Sequence, residues 1–371
     1  MTTTAMASEI GESSDVVAKI VRNRHATRDI AQRIGIGSAP LCVVCGRGSS
    51  GHAGVFLRYL VETRLRLPVS ASAPSVITAF RAPLMLRHAL FIVISQFGRS
   101  PDLIAATRSA RAAGARTIAI VNATSSPVAD EAEFVVPIEA GREHSVAATK
   151  TVIGSMVASA GLVAELAKDR ALRSALDRLP ERLHRALALD WSEIADDLTK
   201  ASAVFVGARG LGLGSAREIA LKLSEILRLP SIGLSAAELQ HRPRAALSSR
   251  TPVVMMRLMD ETAATVDALA GELREQKIAL HLCGGPRGSL PWLAEDDPAT
   301  DPMTMLVPAY RMIEQTARAC GVDPDHGSHH SYFGELAWNR RRRSSGRSGW
   351  LFFFLSTLPN EARIRSALIS I

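Results

Sequence analysis

Short apolar runs alternate with amphipathic stretches along most of the chain. Residues 41–45, 89–94, 117–121 and 134–138 are apolar almost throughout, without the every-other-residue polarity of a half-exposed strand. Such runs, spaced by helical patterns, predict a parallel sheet covered on both faces. Helices are expected over about 51–66, over 100–113 and from near 145 to about 166. In the second of these, Ser100 reads as the N-cap, Pro101 as the first helical residue and Gly114 as the stop.

The second half repeats the first at an offset of 162 residues. GRG at 46–48 falls on ARG at 208–210, residues 92–95 fall on 254–257, and 116–121 fall on 278–283. A shared offset predicts two copies of one unit. The expected architecture is α/β, with two doubly wound parallel-sheet subdomains related by internal duplication. The expected divisions are a helical segment 1–40, a first unit 41–167, a helical connector 168–200, a second unit 201–325 and an atypical basic and aromatic tail 326–371.

Composition narrows the class. The chain has 371 residues, 47% hydrophobic and 22% charged, which excludes global disorder. No run approaches the roughly 20 apolar residues of a bilayer span. The N-terminus carries Glu9, Glu12 and Asp15 and lacks an apolar leader, and four cysteines are too few for a disulfide scaffold. A reducing cytoplasm is therefore the expected location. The net charge of +8 invites a nucleic-acid reading, but residues 328–371 hold seven arginines against two acids and account for +5 of it. The remainder suits a small-molecule enzyme, with neither nucleic acid nor membrane expected as partner.

Two loops carry candidate chemistry, GRGSSG at 46–51 and SQFGRS at 95–100. Each follows an expected strand and opens a helix, where unpaired N–H groups and the helix dipole attract anions. Ser49, Ser50, Ser95 and Ser100 add hydroxyls there and Gln96 an amide. With no lysine in either loop, a P-loop is excluded and a phosphate held by neutral donors is suggested. GARGLGLG at 207–214 resembles a dinucleotide turn only loosely, and no cofactor is expected.

Downstream, Glu218, Lys222 and Glu225 share one helix face opposite Ile219, Leu223, Ile226 and Leu227. This is either a solvated charged stripe or a carboxylate aimed into a cleft beside an ammonium. Glu238 and His241 follow in AELQH, a pairing suited to proton transfer. Cys42 and Cys45 point to opposite faces of a strand and read as core residues. No cluster has metal-ligand spacing.

Taken together, CGRGSSGHA, SQFGRSPDL, EHSVAATK, ALKLSE and AELQH resemble the tandem sugar-isomerase (SIS) family, from about Met6 to Asp325. The likeness is to the isomerase half of glucosamine-6-phosphate synthase and, more, to two-SIS aminosugar-phosphate deaminases. The resemblance implies flavodoxin-like subdomains and a sugar phosphate held by Ser49, Ser50, Ser95, Gln96 and Ser100. Val146 and Ala147 would line the sugar. Glu225 would move a proton between C1 and C2, with Lys222 supporting it. His241 would open the ring and reach the partner subunit's site, implying a homodimer.

Three features depart from the family pattern. Phe97 stands where a second serine is usual, and Arg242 where a glycine is usual. No lysine follows Lys277, although the family closes its site with one. A frameshifted or read-through terminus would explain that loss and the arginine-rich run. The chain starts Met1-Thr2-Thr3, without a nucleophilic N-terminal Cys, so ammonia from glutamine is not expected. The expected activity is conversion of glucosamine 6-phosphate to fructose 6-phosphate and ammonia. The alternatives are aldose–ketose isomerisation without ammonia, or a catalytically impaired sugar-phosphate-binding regulator.

Overall fold

The apolar runs become strands whose two faces are both covered. The computed structural model describes residues 3–35, 37, 39–293 and 296–326, except for the side chains at 242 and 243. Apart from His326, the tail expected at 326–371 lies outside the described residues, as do the Arg242 side chain and any strain it would cause.

Among the described residues the strands are β1 (Cys42–Cys45), β2 (Val69–Ala71), β3 (Leu90–Ser95), β4 (Arg116–Val121), β5 (Phe134–Pro137), β6 (Val204–Ala208), β7 (Ser231–Ser235), β8 (Val253–Met256) and β9 (Leu280–Cys283). They form two parallel sheets, ordered β2-β1-β3-β4-β5 and β7-β6-β8-β9. Each sheet reverses its winding direction beside its first strand, which makes both doubly wound.

The duplication holds at single-residue resolution. β1 and β6 begin 162 residues apart, at Cys42 and Val204. Arg47 (φ −131°, ψ 156°) and Arg209 (φ −137°, ψ 157°) open the same turn. The next residues, Gly48 at φ 50° and Gly210 at φ 60°, lie in the left-handed region that glycine enters at least cost.

Alternation along the strands divides the core. In β3, Leu90, Ile92 and Ile94 face a core shared by both sheets, whereas Phe91 and Val93 face a separate outer cluster. In β6, Val204 and Val206 join the shared core and Phe205 a third cluster. Cys42 and Cys45 fall on opposite faces of the first sheet, and burial pushes their thiols up to about 12 and about 11.

The helices differ from expectation at their ends. The first site helix begins at Gly48, and the helix expected from near 145 begins at Lys150, because residues 145–149 run as a loop. Ser100 does precede the helix Pro101–Ala112, but its hydroxyl makes no capping hydrogen bond. Three N-terminal helices, Ala5–Gly11, Ser13–Arg22 and His25–Ile34, precede the first sheet, and the second of them packs on Lys150–Leu166 and Arg170–Ala186. The helix Leu213–Leu227, which follows β6, crosses from the second unit onto the helix Gly48–Leu60 of the first. Gly214 permits the approach: a Cβ there would lie 2.6 Å from the His52 carbonyl oxygen and 3.1 Å from the Phe56 nitrogen. No helix of the described residues is long and apolar enough to cross a membrane.

Candidate active site

The carboxyl ends of β1 and β3 deliver their loops to one cavity of about 240 Å³. Arg47, Ser49 and Ser50 come from the first loop, and Ser95, Gln96, Phe97 and Ser100 from the second. Both helix N-termini begin here, so their free N–H groups and positive dipole ends lie beside the serine hydroxyls. Ser95 accepts the Gly98 N–H at 3.0 Å, which sets the turn of the second loop. The remaining wall comes from Leu103 of the helix Pro101–Ala112, from Val146 and Ala148 of the 145–149 loop and from Lys222 and Glu225 of the helix Leu213–Leu227. A larger hollow of about 360 Å³, between residues 187–192 and the last helix, has a single acid and a single arginine and none of these convergent hydroxyls.

The charged helix face is not a solvated stripe. Glu218 and Lys222 are each 1% exposed. Lys222 Nζ lies 3.1 Å from Glu218, 2.9 Å from Glu225 and 3.0 Å from Ser49 Oγ. Glu218 also receives Ser49 Oγ at 3.1 Å and Tyr310 Oη at 3.4 Å, and lies 2.8 Å from His52 Nδ1. Burial opposes the Glu218 charge, but Lys222 and His52 outweigh it and hold the carboxyl below its ordinary range. Burial likewise opposes the ammonium, yet Glu218 and Glu225 keep Lys222 raised. The result is a charged lysine fixed beneath a half-exposed Glu225 carboxylate, a group able to accept and return a proton. Arg47 pairs with Asp102. Both cations of the cavity, Arg47 and Lys222, thus have acidic partners.

A second buried carboxyl stands behind the β3 loop. Glu143 is 5% exposed and receives Gln96 Nε2 at 2.9 Å, the Thr149 N–H at 2.6 Å, Thr149 Oγ1 at 3.1 Å and the Thr151 hydroxyl. It thereby ties the β3 loop to the 145–149 wall. Glu9 of the first helix holds that wall from the other side through the backbone of His144 and Ser145. The Asp325 carboxylate accepts the Ala5 and Met6 N–H groups at 2.7 and 2.9 Å, and its carbonyl accepts Val146 N–H at 3.3 Å.

Of the residues singled out from sequence, Ser49, Ser50, Ser95, Gln96, Ser100, Val146, Lys222 and Glu225 share this cavity. Ala147 does not: it is 1% exposed and belongs to the core, because the loop turns its neighbour Ala148 to the cavity instead. His241 is exposed and lines no part of it. Sequence reasoning missed Arg47, His52, Glu143 and Tyr310. The first three lie inside the quoted motifs, beside the residues chosen. Tyr310 sits mid-helix with no local signal. Among the described residues no group of His, Cys, Asp or Glu could hold a metal ion.

Comparison with known proteins agrees with the two-sheet fold. The SIS domain model matches residues 38–164 and 197–286, one segment per sheet. A glutamine–fructose-6-phosphate aminotransferase of Symbiobacterium thermophilum is 36% identical over 232 residues, covering 60% of this chain and 38% of that protein. The chain spans about half or less of the length of such curated relatives. A crystal structure from Silicibacter pomeroyi DSS-3, provisionally named a phosphosugar isomerase, superposes with a TM-score of 0.84 at 33% identity. That match covers 87% of this chain and all of the other. The glucosamine-6-phosphate deaminase of Thermotoga maritima shares the fold, with a TM-score of 0.72 at 20% identity over 88% of this chain and 98% of that one.

Proposed function

The chain belongs to the SIS-domain family, and from that footing we propose that it deaminates and isomerises glucosamine 6-phosphate to fructose 6-phosphate and ammonia. The observation that carries this reading is the meeting of Glu225 with Ser49, Ser50, Ser95, Gln96 and Ser100 around one cavity. The phosphate is taken by the hydroxyls and N–H groups at the two helix ends. The sugar then lies along Val146 and Ala148 toward Glu225.

In the open-chain aminoaldose, Glu225 takes the proton from C2 and delivers it to C1. The aldehyde becomes an alcohol and the C2 amine an imine. Water then hydrolyses the imine to the ketone and ammonia, so no external oxidant or nitrogen donor is required. Lys222, 2.9 Å away, holds the Glu225 carboxyl in place and stabilises the negative charge on the enediol-like intermediate. His241 lies outside its own subunit's cavity, so in this reading it opens the ring in the site of a second copy, within a homodimer.

Incubation with glucosamine 6-phosphate is expected to release ammonia, and Glu225→Gln to abolish release. Proton exchange at C2 without ammonia would instead favour aldose–ketose isomerisation, a reading that the isomerase-named relative at 33% identity supports. Binding without exchange or ammonia would favour a regulatory sugar-phosphate binder. Failure to bind any sugar phosphate would end all three.

A further inference from the structure

We propose that Glu143 is a positioning residue, whose protonation turns the Gln96 carboxamide over so that anion binding in the cavity is coupled to proton uptake. The inference rests on the reading of this cavity as a sugar-phosphate site.

Gln96 is shared between two masters. Its side chain lines the cavity, and its Nε2 donates to Glu143 Oε2 at 2.9 Å. An ionised carboxylate can only accept hydrogen bonds. It therefore holds the NH₂ group inward through one N–H and turns Oε1 to the cavity side, leaving at most the second N–H for an anion. A carbonyl oxygen is the wrong group to offer a phosphate. The protonated acid reverses this: its O–H donates to Gln96 Oε1, and Nε2 is released toward the anion. Thr149 and Thr151 adapt at no cost. The Thr149 N–H and hydroxyl stay on Glu143 Oε1, and the Thr151 hydroxyl goes on donating to a lone pair of Oε2, whose single proton is given to Gln96. The proton comes from solvent through the cavity and leaves when the ligand leaves.

The surroundings suit a carboxyl that changes state. It is 5% exposed, and no lysine, arginine or histidine pairs with it among the described residues. Nearby Lys150 is committed to Glu12 at 2.6 Å. The titratable groups that face it are Glu9 from the first helix and Tyr310 from the last. Burial is the main cause that raises Glu143, Glu9 adds to it, and the Thr149 and Thr151 donors oppose it. Tyr310 stays neutral, since burial holds its hydroxyl well above its ordinary value.

The test is calorimetric titration of glucosamine 6-phosphate near pH 7.5, in two buffers of different ionisation enthalpy, which counts protons taken up per ligand. Glu143→Gln mimics the neutral acid by offering an N–H to Gln96 Oε1, its second N–H going to the Thr151 hydroxyl. It is expected to bind at least as tightly as the wild type and to take up fewer protons, by up to about one. The ligand's own protonation is common to both proteins and cancels in the difference. Gln96→Met is expected to lower the count as well, because no carboxamide remains to turn. Equal proton counts in wild type and Glu143→Gln would overturn the inference. So would undiminished uptake in Gln96→Met, which would reduce the effect to simple charge repulsion. If neither the wild type nor Glu143→Gln bound the ligand, the site reading would fall and this inference with it. Binding with equal counts removes the inference alone.

Discussion

The turn after β1 and the turn after β6 have the same backbone and opposite uses. Each opens on an extended arginine followed by a glycine in the left-handed region, Arg47-Gly48 and Arg209-Gly210. After the first come Ser49 and Ser50, whose positions face a cavity. After the second come Leu211 and Gly212, and the helix end packs against the helix Gly48–Leu60. Asp260 and Thr262 crowd Gly210, placing a carboxylate beside the very backbone that could have met an anion. The lesson is that a nest of N–H groups is a property of the backbone, while its use as a site is set by two or three side chains. The second unit contributes Lys222 and Glu225 to the cavity at the first unit's strand ends.

That division of labour makes Glu225→Gln the severest test. Activity is expected to fall by roughly a thousandfold, as for loss of a general base, with the fold retained and a smaller loss of stability than in Glu218→Gln. An equal loss on mutating the second turn instead would break the comparison.

Next come the two buried carboxyls, one from each half. Glu218 is held low by Lys222 and His52 despite burial, so its stabilising contribution is present above its ordinary value and lost as pH falls through the folded one. Glu218→Gln is expected to cost about 3 kcal/mol at neutral pH, with the gap closing in acid, read by urea unfolding at several pH values. Glu143 is raised, so its contribution is greatest in acid and declines as pH rises through its folded value. Glu143→Gln is therefore expected to gain stability relative to the wild type as pH rises. The same slope in both variants would contradict the contrast.

Gly214→Ala probes where the halves touch. Its Cβ meets backbone at 2.6 Å, so a loss of about 1–3 kcal/mol is expected in thermal unfolding. The smallest effect belongs to the turns themselves. Ser50→Ala is expected to weaken sugar-phosphate binding by about 1 kcal/mol, roughly fivefold, and Leu211→Ser to leave binding unchanged.

Much of this was readable beforehand. β1, β3, β4 and β5 were legible because strands buried on both faces leave uninterrupted apolar runs, and the 162-residue offset recovered β6, β8 and β9. The edge strands β2 and β7 left no such trace: Val69–Ala71 is three residues long and largely exposed, and Ser231–Ser235 is only partly covered. The residues of the two loops that line the cavity were legible because strand ends and helix starts are local signals. Glu143 and His52 were not, because their roles depend on partners 47 and 166 residues away. Whether the stripe at Glu218 faced water or a cleft could not be decided from its own helix, since the answer lies in the helix it packs against.

One further consequence follows from the anchoring of the 145–149 wall. Glu9 grips it through Ser145, Glu12 pairs with Lys150, and Thr4 donates to Glu314 at 2.8 Å. All three acceptors or donors on the near side lie before residue 38, where the recognisable family segment begins. Trimming the gene to that boundary would keep every strand of both sheets and yet slacken one side of the pocket.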